Sequence, residues 1–193
     1  MVTDIGGAVR DRIVDAALEL AEERGWANVR LYQVAERADV PLARIGAEFR
    51  DQDAVANAWF ARALAAIERI RPETLAGQAA AERLHLVVMG WFDALAPHRE
   101  VTGEMLRAKL YPSHPQHWVP LIFDLSRLVH WFLDAARIAS TGRARQMAEI
   151  GLTAIFLASV RVWLSDDSPG SERTRLYLYR RLDAADRWLT CLT

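Results

Sequence analysis

The chain has 193 residues, 52% of them apolar, and a formal charge of −1. That length holds one medium domain, or a small head on a larger body with a sizeable core. An even charge balance excludes a generally basic nucleic-acid binder, one cysteine excludes an internal disulfide framework or cysteine-based zinc site, and no apolar run reaches the ~20 residues that span a bilayer.

The start, "MVTDIGGAVRDR", lacks a basic segment followed by an apolar one, so no signal peptide is expected and the expected location is cytoplasmic. Residues 11–24 place Ile13, Ala17, Leu20 and Ala21 on one helical face, and Gly25 follows as a stop. A short helix is expected at 31–38, a turn at Asp39-Val40-Pro41, and a second short helix at 42–48. A longer helix opens near Asp53 and runs to about residue 70, where Pro72 interrupts the pattern. Further helices are predicted at 78–96, 98–110, 118–139, 143–165 and 171–190, with a proline-containing loop "YPSHPQHW" at 111–118. "SDDSPGSE" reads as a turn, with Ser168 as cap and Pro169 placed for a helix start. No strand is required, so the expected fold is all-α: a three-helix head at 1–53 and a helical bundle at 54–193.

The head carries a sequence signature. Ala16-Ala17, Leu20, Gly25, Val34-Ala35, Ala38, Val40, Ala43, Ile45, Phe49 and Val55 surround the stretch "RADVPLARIGAEFRDQDAV". In order and spacing, residues 10–60 resemble the helix-turn-helix domain of the tetracycline-repressor (TetR) family of transcriptional regulators. That resemblance implies a homodimer that binds DNA through the head and a small molecule through the body. It points to Arg30, Tyr32, Gln33, Leu42, Arg44 and Arg50 as the DNA-facing residues, with Arg44 suited to guanine in a major groove. The chain also departs from the family. Asp39 stands where Gly is usual, Pro41 where Ser or Thr is, Gly46 where Tyr is, Glu48 where His is, and Gln52 where Lys is. The last three replace groups that meet phosphates, and residues 1–53 carry seven Arg against eleven acids, a net of −4. Phosphate neutralisation supplies most non-specific duplex affinity, and this head gives much of it up.

In the body, Trp91, Phe92, Leu95, Met105, Trp118, Phe123, His130, Trp131, Met147 and Phe156 are candidate walls of an apolar pocket, in which His130 would orient a polar end of the ligand. Residue by residue, core packing accounts for the same pattern. His114 and His117 have the spacing of a partial metal site with no evident third ligand, so no metal and no cofactor are expected. Neither a nucleophile–base order nor a phosphate loop stands out, and the expected protein is not an enzyme.

At the C-terminus, Asp167-Ser168-Pro169, Thr174, Tyr177-Leu178 and Arg180-Arg181-Leu182 resemble the ubiquinone-biosynthesis accessory family, lipid-binding proteins of the same fold with a degenerate head. Arg175 departs from that family's usual Trp. The segment 173–187, with five Arg against two Asp, would also suit peripheral contact with an anionic membrane surface. Packing on the body or on a second subunit, with Arg on the wet face, is the favoured reading of the same segment. The TetR resemblance implies dimerisation through the last two helices, with Arg161, Trp163, Tyr177 and Trp188 as interface candidates. Two readings follow: a ligand-responsive DNA-binding regulator, and a lipid- or quinone-binding accessory protein that has left DNA.

Overall fold

The computed structural model describes residues 3–110 and 115–190, with side chains placed for 6–110 and 124–187. Ten α-helices and no strand are present among the described residues: α1 (Thr3–Arg24), α2 (Leu31–Arg37), α3 (Leu42–Glu48), α4 (Gln52–Glu68), α5 (Pro72–Leu75), α6 (Ala80–Leu95), α7 (Arg99–Lys109), α8 (Pro115–Ala135), α9 (Gly142–Trp163) and α10 (Glu172–Thr190). Two expectations are corrected. The loop expected through residue 118 ends earlier, because Pro115 takes the first position of α8, where a missing N–H costs nothing. Pro72 likewise starts the four-residue α5 instead of only ending the preceding helix.

The chain divides into two compact units. The first comprises Met1–Arg62 and Pro97–Trp118, so it takes in α7 with the head; the second comprises Ala63–Ala96 and Val119–Thr193.

In the first unit, α1 buries Ile13, Val14, Ala17, Leu20 and Ala21, the 3–4 stripe of an amphipathic helix. It ends at Gly25, whose N–H bonds to the Ala21 carbonyl at 2.8 Å and whose φ of 81° suits a residue without Cβ. Trp26, Val34, Ile45, Phe49, Val55 and Trp59 complete the core with Val101 and Met105 of α7. Four ties hold α7 in this unit. Trp59 Nε1 donates to Thr102 Oγ1 (2.9 Å), His98 Nδ1 meets Glu22 (2.7 Å), the Glu104 carboxylate accepts the Trp26 N–H (2.5 Å), and buried Lys109 reaches Asp53 and Asn57 Oδ1, the latter at 2.7 Å.

In the second unit, α10 packs on α6 and α9. The core is aromatic. Trp91 and Phe92 of α6 meet Phe156 at 5.2 and 5.7 Å between ring centres, Phe132 meets Phe156 at 5.2 Å, and Trp163 meets Phe92 at 5.4 Å. Edge and offset arrangements of this kind add to simple area burial. The turn between α9 and α10 is organised by buried Asp166. Its carboxylate accepts the N–H and hydroxyl of Ser168 (3.0 and 2.5 Å) and of Thr174 (2.7 and 2.5 Å). The Ser168 hydroxyl in turn accepts the Arg173 N–H at 3.1 Å. Burial by itself would raise the Asp166 pKa; the bonds from Ser168 and Thr174 outweigh it and hold the carboxyl well below the usual range.

Candidate nucleic-acid interface

Helices α2 and α3 meet through a tight turn that the sequence builds without glycine. Asp39 adopts φ 51°, Val40 N–H bonds to the Ala35 carbonyl (3.0 Å), and Asp39 N–H bonds to the Glu36 carbonyl (3.3 Å). This is the paired closure that ends many helices, with Asp in the left-handed seat usually given to Gly. The turn aims α3 outward. Ile45 anchors it below, while Leu42, Ala43, Arg44, Gly46 and Ala47 stay exposed.

The six residues expected to face DNA do not stand alike. Tyr32 and Leu42 are both 53% exposed, which leaves them available to a partner. Arg44 pairs with Glu48 one turn along at 2.9 Å, and Glu48 also lies 3.8 Å from Arg10. Arg50 is fully out in solvent and pairs with Asp51 (2.9 Å). Arg30 curls back to the carbonyls of Ala27 (2.9 Å) and Val29 (3.0 Å). Gln33 turns inward, its Oε1 buried and without a partner among the described residues. Gln52, at the family's Lys position, also turns inward and donates to the Trp26 carbonyl at 2.7 Å. The exposed cations on this surface are therefore few, and most of them already have an acid beside them.

Four acids of α1 meet an arginine of the same unit. Arg62 of α4 takes Asp11 and Asp15, at 3.0 and 2.5 Å. Arg37 takes Glu19 and Glu23, at 3.2 and 2.7 Å. That bidentate arrangement lowers the Glu23 pKa chiefly through the hydrogen bond from Arg37. The net charge of −4 thus overstates the repulsion that a duplex would meet, because part of it is neutralised within the unit by Arg62 and Lys109, which lie beyond residue 53.

The candidate pocket residues separate. Trp91, Phe92, Leu95 and Phe156 are buried together in the second unit, whereas Met105 is buried in the first. His130 and Trp131 are exposed, and His130 Nε2 lies 2.9 Å from Glu149, a carboxylate that Arg145 also holds at 2.9 Å. Met147 is 55% exposed. Among the interface candidates, Arg161 is exposed, Tyr177 is half-buried under Arg181, and Trp163 is 1% exposed in its own core. Trp118, Phe123, His114, His117 and Trp188 lie outside the residues whose side chains are described. Among the described residues no group of three His, Cys, Asp or Glu is placed to hold a metal ion, and no helix is long and apolar enough to cross a membrane.

Two features were not found from sequence. One is an exposed apolar row on α9, Met147, Ile150 and Leu157, with Leu176 and Tyr179 exposed on α10. The 3–4 spacing of that row was legible, but which stripe of a doubly apolar helix faces outward was not. The other is an open trough between α2 and α3, lined by Tyr32, Ala35, Glu36, Asp39, Val40, Pro41 and Leu42.

Neither a family profile nor a curated protein matches the chain. Solved structures do. A TetR transcriptional regulator from Nitrosomonas europaea is 38% identical, with a TM-score of 0.81, over 91% of this chain and 97% of that one. A TetR transcriptional regulator from Rhodococcus sp. RHA1 is 20% identical (TM-score 0.63; 90% and 94% covered) and shares the fold. The multidrug binding protein EbrR, solved with imidazole, is 27% identical (TM-score 0.55; 89% and 88% covered). The all-α architecture, a helix-turn-helix with an outward α3, and likeness over nearly the whole of a TetR regulator define the class. The chain belongs to the TetR family of transcriptional regulators.

Proposed function

We propose that this regulator acts as a homodimer that binds DNA through α3 and responds to an apolar small molecule held by its body helices. The observation that carries the DNA reading is the α3 surface: Leu42, Arg44 and Ala47 point out of the head, with Tyr32 beside them. Arg44 offers the two parallel donors that match guanine O6 and N7, and Leu42 offers an apolar contact for a thymine methyl. The exposed row Met147, Ile150 and Leu157 on α9, with Leu176 and Tyr179 on α10, supports pairing with a second copy through these two helices. Arg161 continues the α9 row by one turn. The ligand reading is supported by the likeness to the multidrug binding protein EbrR and by the wealth of Trp, Phe and Met in the body.

The second reading, a lipid- or quinone-binding accessory protein, is favoured by the chemistry at Gly46, Glu48 and Gln52, none of which offers a cation to phosphate. Against it, the C-terminal motif that suggested that family has a structural task here, since Ser168 and Thr174 hold Asp166 at the head of α10.

Binding of the purified protein to mixed genomic fragments at low and moderate salt separates the two. Sequence-selective retention that weakens in Arg44→Ala supports the regulator. Absence of retention even at low salt, where phosphate attraction is strongest, overturns it; a lipid or quinone in an organic extract would then favour the accessory reading.

A further inference from the structure

Between Asp11 and Asp53 the head carries ten acidic residues. Eight of them meet a basic side chain: Asp11 and Asp15 meet Arg62, Glu19 and Glu23 meet Arg37, Glu22 meets His98, Glu48 meets Arg44, Asp51 meets Arg50, and Asp53 meets Lys109. Among the described residues, Glu36 and Asp39 alone of these ten have neither an ion pair nor a side-chain hydrogen bond, and both are exposed. Both also line the same open trough of about 430 Å³, with Ala35, Val40, Pro41 and the half-exposed Tyr32 and Leu42.

We infer that this trough is a docking site for a basic segment of another protein, one in which an Arg or Lys is flanked by apolar residues. The charge complementarity is specific. Each of the other eight acids of this stretch meets a basic side chain, whereas these two unpaired carboxylates share one concavity with an aromatic and an aliphatic rim. A phosphate approaching them is repelled. A long cationic side chain lays its methylene stem on Val40 and Pro41, sets its charge between Glu36 and Asp39, and leaves Tyr32 to stack on a guanidinium. A small inorganic cation would satisfy the carboxylates but leave the Tyr32 and Leu42 rims wet, whereas a polypeptide covers both. Because Tyr32 and Leu42 also belong to the proposed DNA surface, such a partner would occlude the head. This goes beyond the proposed function, and it stands whether or not the head binds a duplex.

The test uses the full chain and fluorescence anisotropy, with labelled peptides alternating Arg with Leu or Glu with Leu, and a short duplex of mixed sequence. The variants are Glu36→Gln/Asp39→Asn, in which Asn keeps the left-handed turn accessible, and Tyr32→Ala. Melting curves confirm that each is folded. The Arg/Leu peptide is expected to bind, to weaken about tenfold in the double variant and measurably in Tyr32→Ala, and the Glu/Leu peptide is expected not to bind. Duplex affinity in the double variant should be unchanged or higher, since only like charges have been removed. The inference is overturned if Arg/Leu affinity is the same in the double variant, if the duplex weakens with the peptide, or if the double variant alters only self-association.

Discussion

Arg44 and Glu48 lie one helical turn apart and pair at 2.9 Å, so in the proposed complex α3 would bring both to the duplex. The pair is partly exposed, so separating it costs a few tenths of a kcal/mol. In the proposed complex Arg44 would be free to reach a base, and Glu48 would remain as a negative charge near the duplex. Glu48→Gln is expected to tighten binding to all duplexes alike, by roughly threefold to tenfold, measured by anisotropy at fixed salt; weaker binding would instead mean that the carboxylate orients Arg44. Asp166 makes a second residue-scale prediction. Its carboxyl titrates far lower when folded than its ordinary 3.8, so the folded chain holds fewer protons than the unfolded one at acidic pH. The stability it contributes is complete above about pH 4 and is lost as pH falls below that. Asp166→Asn should lower stability by about 2–3 kcal/mol at neutral pH and flatten the loss on acidification, as followed by thermal melts across pH.

At the scale of elements, α7 shows how a helix distant in sequence becomes part of the head. Lys109, the chain's one lysine, is buried and ends α7 against Asp53 and Asn57 at the start of α4, directly after α3. Lys109→Met removes the cation and leaves the Asp53 carboxylate partly buried, a loss of about 3 kcal/mol by denaturant unfolding; Lys109→Met with Asp53→Asn should recover a large part of it. The outward row of α9 makes a further test. Ile150, 66% exposed, lies mid-row between Met147 and Leu157. Ile150→Arg places a charge, together with its symmetry mate, in the proposed dimer contact. The expected result is a monomer by light scattering with an unchanged helical spectrum; a surviving dimer would move the interface elsewhere.

For the whole molecule, the number of exposed cations bounds the salt dependence. With Arg30, Arg44 and Arg50 as the cations of the DNA surface, log affinity should fall with log salt at a slope no steeper than about −3 per head, near −0.9 for each phosphate neutralised. A much steeper slope, measured by titration at several salt concentrations, would reveal phosphate contacts from other residues. The pairing of Arg62 and Arg37 with the α1 acids is a property of the folded unit and not of the charge count.

The sequence by itself determined the helical class, the order of elements and the helix-turn-helix frame. Each of these rests on local periodicity, on stops such as Gly25 and on prolines that start helices, signals carried within a few residues. It also showed the departures at Gly46, Glu48 and Gln52. Only the tertiary structure decided which side chains remain available. Gln33 and Gln52 turned inward, Trp163 went to the aromatic core, Met147 and Ile150 went outward, and Lys109 crossed to a helix more than fifty residues earlier. Burial and ion pairing depend on which surfaces pack together, and a local pattern of apolar and charged residues permits several such packings.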